Sequence, residues 1–176
     1  VPSVIRGNHA ILVLMIAKGA KQRWDENNPK PVPRSTQRKF DQLKNEHSGI
    51  INIIADMKPE LDGISYFVIP EIPIRKLENA INSYVPANDK ANVILLYDHT
   101  AFGSSRSGFC ITPSHVYWKN DFSRPKKIEL SAIKSVKIKP IEVHRIIIND
   151  NPKIVIDVGD HAIDKFIKLI INICKL

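Results

Sequence analysis

The chain has 176 residues, 43% of them hydrophobic and 25% charged, which suits one ordinary domain or a small domain with an extension and excludes a disordered chain. Its net charge of +8 favours phosphates, anionic lipid headgroups or acidic proteins as partners, without choosing among them. Two cysteines, Cys110 and Cys174, are too few for a disulfide framework and sit in no CxxC pair or Cys/His cluster, so both are expected to be buried small hydrophobes in a reducing, cytoplasmic setting.

The first part, residues 1–62, reads as a helical segment. Residues 10–17 are its most apolar stretch, far shorter than the ~20 residues of a membrane-spanning helix. No small-residue cleavage site follows, so a buried helix is expected, capped by Asn8 and running towards Trp24. Pro29, Pro31 and Pro33 then impose extended chain. Phe40, Leu43, His47, Ile50, Ile51, Ile54 and Met57 recur at spacings of three and four and predict one helix, ended by Pro59 and Asp62-Gly63.

The second part, residues 63–176, opens with a short apolar strand at 64–69 and a short helix over 74–85 that shows Leu77, Ala80, Ile81 and Tyr84 on one face. From Asn92 the period changes to two. Seven strands are expected, at 93–98, 108–112, 115–119, 127–130, 133–139, 143–149 and 153–158, divided by Gly-, Ser-, Pro- and Asn-rich turns. Seven short strands at this spacing predict an antiparallel sandwich or barrel and not a parallel α/β sheet. Asp160 is placed to cap a final helix over 161–175, whose stripe of Ile163, Phe166, Ile167, Ile170, Ile171 and Cys174 would close the open end of the β part.

Several constellations invite a chemical interpretation. Asp98-His99-Thr100 offers triad-type residues, but neighbours on a strand point to opposite faces, so Asp98 or Thr100 is expected to bond loop amides instead. The loop from Gly103 to Gly108 is rich in glycine and serine, yet a strand follows it where a phosphate loop needs a lysine and a helix, so a hairpin connection is expected. The six histidines show no HxxxH or HExxH spacing. The strongest functional signal is the basic set Lys119, Arg124, Lys126, Lys127, Lys134, Lys137 and Lys139, interrupted only by Asp121 and Glu129, with Trp118 and Phe122 beside it. The period of two predicts that Lys137 and Lys139 share a strand face. Arg106 is the one cation of the first hairpin loop.

Seven strands followed by one helix is the element order of the pleckstrin-homology-like (PH-like) superfold. Asp98-x-Thr100, Phe102-Gly103, Gly108-Phe109, Thr112 and the aromatic pair Tyr117-Trp118 resemble the opening hairpins of bacterial PH-like and GRAM-like domains, and Ile133-x-x-Val136 resembles a later strand of the same group. The resemblance covers residues 72–176. It implies an α+β fold, a PH-like antiparallel seven-stranded sandwich or barrel capped by a C-terminal helix, and a non-enzymatic binding module without a cofactor. The expected binding residues are Lys119, Arg124, Lys126, Lys127, Lys137, Lys139, Arg106 and Trp118. The expected partner is first a protein, second an anionic lipid surface that would hold the chain at the membrane periphery, and third nucleic acid.

Overall fold

The computed structural model describes residues 32–61, 65–140, 142–159 and 162–176. The helix expected between Asn8 and Trp24, the Asp62-Gly63 stop and the Asp160 cap lie outside the described residues. Among the described residues two helices come first, α1 (Arg34–Glu46) and α2 (Ser48–Leu61). The apolar period predicts one helix over this stretch, and the structure divides it at His47, just ahead of Ser48 and Gly49, both weaker helix formers than their neighbours. Gly49 also lies in a tight place, since a Cβ there would sit 3.2 Å from each terminal carbon of Leu176. Pro59 does not end α2. It falls in the last turn, where a missing amide costs one hydrogen bond, and Lys165 Nζ donates to the open Glu60 carbonyl nearby.

Among the described residues eight strands form two antiparallel sheets, so the class is α+β. The first sheet holds β1 (Tyr66–Val68), β2 (Leu95–Asp98), β3 (Gly108–Ile111), β4 (His115–Lys119) and β5 (Lys126–Glu129) in chain order. The second holds β6 (Val136–Lys139), β7 (Glu142–Ile148) and β8 (Val155–Asp157). Each of the seven stretches expected to be extended overlaps one of β2–β8, and the apolar run at 64–69 supplies β1 as a fifth strand of the first sheet.

Alternation along the strands gives the first sheet two faces. One carries the row Tyr66, Tyr97, Phe109 and Trp118 and the row Leu95, Ile111 and Val116. These side chains join Ile146, Ile148 and Ile156 of the second sheet in one buried cluster. Leu43 of α1 and Ile50, Ile51, Ile54, Met57 and Leu61 of α2 belong to the same cluster, so apolar contact runs straight across the boundary near residue 62. The opposite face presents Leu96, Cys110 and Tyr117, and α3 (Ile74–Ile81) covers them through Ala80, Leu77 and Ile81, with Tyr84 and Val85 just beyond its end. Strands β2, β3 and β4 are therefore buried on both sides.

The final helix, α4 (Ile163–Ile173), buries Ile163, Phe166, Leu169, Ile170 and Ile173. This corrects the expected stripe, because Ile171 is 39% exposed and Cys174 is exposed while Leu169 is fully buried. Residues 169–171 are all apolar, so periodicity alone could not choose the inward side, and packing against α2 and the sheets chose it. Phe166 meets Phe109 edge to face, with ring centroids 4.4 Å apart.

Substituting Phe166→Ala should therefore lower stability by about 3–5 kcal/mol, the usual cost of emptying a phenylalanine site in a core. Lys168 makes only a solvent-exposed ion pair with Glu60, 2.6 Å apart. Lys168→Ala should cost no more than about 0.5 kcal/mol. Urea unfolding of the two variants checks both figures, and equal losses would mean that the helix faces are misassigned.

Candidate functional site

Antiparallel order places the β2–β3 loop (99–107) and the β4–β5 loop (120–125) at the same end of the first sheet. A hydrogen bond from Ser107 Oγ to Asp121 Oδ1, 2.5 Å, ties the two together. Their construction begins at Asp98, the last residue of β2, whose side chain is 3% exposed. One carboxylate oxygen accepts hydrogen bonds from the Thr100 amide (3.0 Å), the Thr100 hydroxyl (2.5 Å) and the Ser105 amide (3.1 Å). Thr100 Oγ1 in turn accepts from the amides of Ser104 (2.6 Å) and Ser105 (3.2 Å). Asp98 and Thr100 thus bond the loop amides, as their types and position predict.

The second carboxylate oxygen takes the Lys76 ammonium at 2.6 Å. That lysine comes from α3, lies over the Phe67 ring, and also donates to the Gly103 carbonyl at 2.7 Å. Asn79 Nδ2 donates to the Ser104 carbonyl (2.8 Å) and Ser83 Oγ to the Arg106 carbonyl (2.7 Å). Lys76, Asn79 and Ser83, at spacings of three and four, lie along one side of α3 and its C-terminal turn. They grip three carbonyls of one loop. Burial would raise the Asp98 pKa, but the bonds from Lys76 and Thr100 outweigh it and hold the carboxyl below its ordinary range.

Phe102 and Phe122 stand at the tips of the two loops, 95% and 108% exposed. Phe122 adopts φ +57°, a left-handed conformation that costs a bulky residue about 1–2 kcal/mol. Strain and full exposure at one aromatic residue are poor choices for folding, and such outliers gather at functional surfaces.

The expected binding residues separate into three groups. Arg106, Arg124, Lys126 and Lys127 are exposed at or next to this loop end, and Arg106, Arg124 and Lys127 make no ion pair among the described residues. Lys126 Nζ donates to the Lys153 carbonyl (2.9 Å) and Lys119 Nζ to Ser83 Oγ (3.0 Å). Lys137 and Lys139 lie on the second sheet, paired with Asp150 and Glu142. Their charge is balanced there, and a register shift between Ile138 and Lys139 interrupts the period that would align them. Trp118 is 2% exposed, and its indole donates to the Val155 carbonyl at 2.9 Å. It joins the two sheets and does not face a ligand. Asn120 works beside it: its amide donates to the same Val155 oxygen and accepts from the Asp157 amide, both at 3.0 Å.

Sequence reasoning passed over Phe102 and left Phe122 outside the binding set. The available signal was a large apolar residue in each of two loops otherwise built from small, polar and charged residues. Comparison with protein-family models, curated proteins and solved structures returns no match.

The Asp98 carboxylate, with a folded pKa below the unfolded value near 3.9, contributes stability that is full above that value and lost as pH falls through the folded pKa. Asp98→Asn should cost ~3 kcal/mol at neutral pH by leaving the Lys76 ammonium without its counter-charge. It should also flatten the acid limb of a plot of Tm against pH. Thermal unfolding across that range is the check, and an unchanged acid limb would mean that Asp98 does not anchor the loop as an ionised carboxylate.

Proposed function

We propose that this chain is a non-enzymatic binding module of PH-like type that adsorbs to an anionic membrane surface through the loop end of its first sheet. The element order supports the PH-like part of the reading: beyond β1, four strands in one sheet and three in the other precede α4. The observation that carries the membrane part is the pair of exposed phenylalanines, Phe102 and Phe122, set among Arg106, Lys119, Arg124 and Lys126. Apolar tips ringed by cations match a bilayer interface, with acyl chains below and negative headgroups at the rim.

Each cation near such a surface contributes about 1 kcal/mol, so these four together give roughly 4 kcal/mol, weakened by salt. A protein partner and nucleic acid are the competing readings. An acidic protein would use the same cations, but water-exposed phenyl rings at two separate loop tips favour a deformable apolar phase over a shaped pocket. Among the described residues no helix is long and apolar enough to cross a membrane, so the proposed attachment is to the bilayer surface.

Co-sedimentation with phosphatidylcholine vesicles, with and without phosphatidylserine, tests the proposal. The chain is expected in the pellet with anionic vesicles at low salt, with the bound fraction falling as salt rises. A chain that stays in the supernatant with both vesicles, or binds both equally, overturns the membrane reading and returns the loop end to a protein partner.

A further inference from the structure

Resting on that membrane reading, we infer that the loop end recognises the interface by insertion of Phe102 and Phe122 within a diffuse set of cations, and that it holds no pocket for a particular phosphorylated headgroup. The glycine- and serine-rich loop is where a phosphate would be cradled, because successive amides in such a turn can converge on an anion. In this loop the convergence is already used. Thr100 and Ser105 amides point at Asp98, Ser104 and Ser105 amides at Thr100 Oγ1, and the Lys76 ammonium at Asp98 and the Gly103 carbonyl. The nest has an internal anion, the Asp98 carboxylate, tethered to the chain and 3% exposed. A headgroup phosphate would have to displace it.

The space between the loops is equally unsuited. Asp121 accepts the Ser107 hydroxyl there and adds a second negative charge where a bridging phosphate would lie. Two concavities of about 450 and 180 Å³ occur elsewhere, one lined by His47, Leu130 and Cys174 among others, the other by Phe40, Ile54 and Ile69 among others. No residue of the two loops lines either concavity. What the loop end offers is two exposed phenyl rings, Phe102 on the loop that α3 and Asp98 hold and Phe122 on the loop tied to it through Ser107 and Asp121, plus charge spread over Arg106, Lys119, Arg124 and Lys126. Such a surface responds to charge density and interfacial area more than to headgroup stereochemistry.

The test measures partition onto vesicles of matched surface charge whose anionic lipid is phosphatidylserine, phosphatidylglycerol or phosphatidylinositol bisphosphate. The three partition coefficients are expected to agree within about threefold, since equal charge gives equal attraction. Phe102→Ala and Phe122→Gly should each lower partition by about tenfold, the scale of withdrawing most of one phenyl ring from an apolar phase. Phe122→Gly should leave Tm unchanged or raised, because glycine accepts the left-handed backbone, and this separates loss of binding from loss of folding. A preference above about tenfold for the inositol lipid at matched charge overturns this inference and leaves the membrane proposal standing. Phenylalanine variants that bind like the parent also overturn it. Absence of binding to every anionic vesicle overturns both.

Discussion

A carboxylate removed from water must be answered by charge and hydrogen bonds, and the chain around Asp98 is organised by that requirement. The donors come from three places: the loop that follows β2, the hydroxyl of Thr100, and Lys76 of α3. Satisfying one group therefore shapes the β2–β3 loop and docks α3 across the outer face of the first sheet. The docking then covers Leu96, Cys110 and Tyr117. Cys110 shows how complete the cover is, since burial pushes its thiol pKa far up and keeps it un-ionised.

The two faces of that sheet do different work. Over β1–β4 the inner face is apolar apart from the hydrogen-bonded Tyr66 and Tyr97 hydroxyls and Trp118 indole N–H, and it merges with the second sheet, α1, α2 and α4 in one core. The outer face is apolar in the middle and polar at the loop end, where Lys76, Asn79, Ser83 and Lys119 meet loop carbonyls and hydroxyls. The apolar part secures α3, and the polar part converts that anchorage into a fixed loop. A loop so held carries Phe102 at its tip, and the Ser107–Asp121 bond ties it to the neighbouring loop that carries Phe122.

Much of this architecture was legible in the chain. The strands could be placed because a period of two is bounded by strong turn residues, and β4 falls at the expected 115–119. The Asp98–Thr100 bonding was legible because such residues at a strand end bond locally. Features that depend on distant contacts were not. Nothing around Lys76 announces a partner 22 residues on at Asp98. The inward side of α4 was hidden by apolar residues on too many of its faces, so Leu169 and Ile173 were missed and Cys174 was placed inside. The basic set looked continuous because carboxylates that neutralise Lys137 and Lys139 come from a turn and a strand further along. Trp118 looked available because its neighbours are lysines, whereas the alternation that exposes Lys119 turns the indole inward.

The side chain of Asn120 bears on how the molecule behaves in a crowded solution. Strand β8 lies at the margin of its sheet, and the Ile154 carbonyl and the Val158 amide bond to β7. That leaves Val155 and Asp157 facing outward, the arrangement onto which a strand from another molecule can add. The Asn120 amide supplies one donor and one acceptor to those two residues, and the Trp118 indole supplies a further donor to the first. A single amide side chain thus stands in for a neighbouring strand. It occupies one outward carbonyl and one outward amide of this margin, groups with which a strand from another copy would otherwise pair.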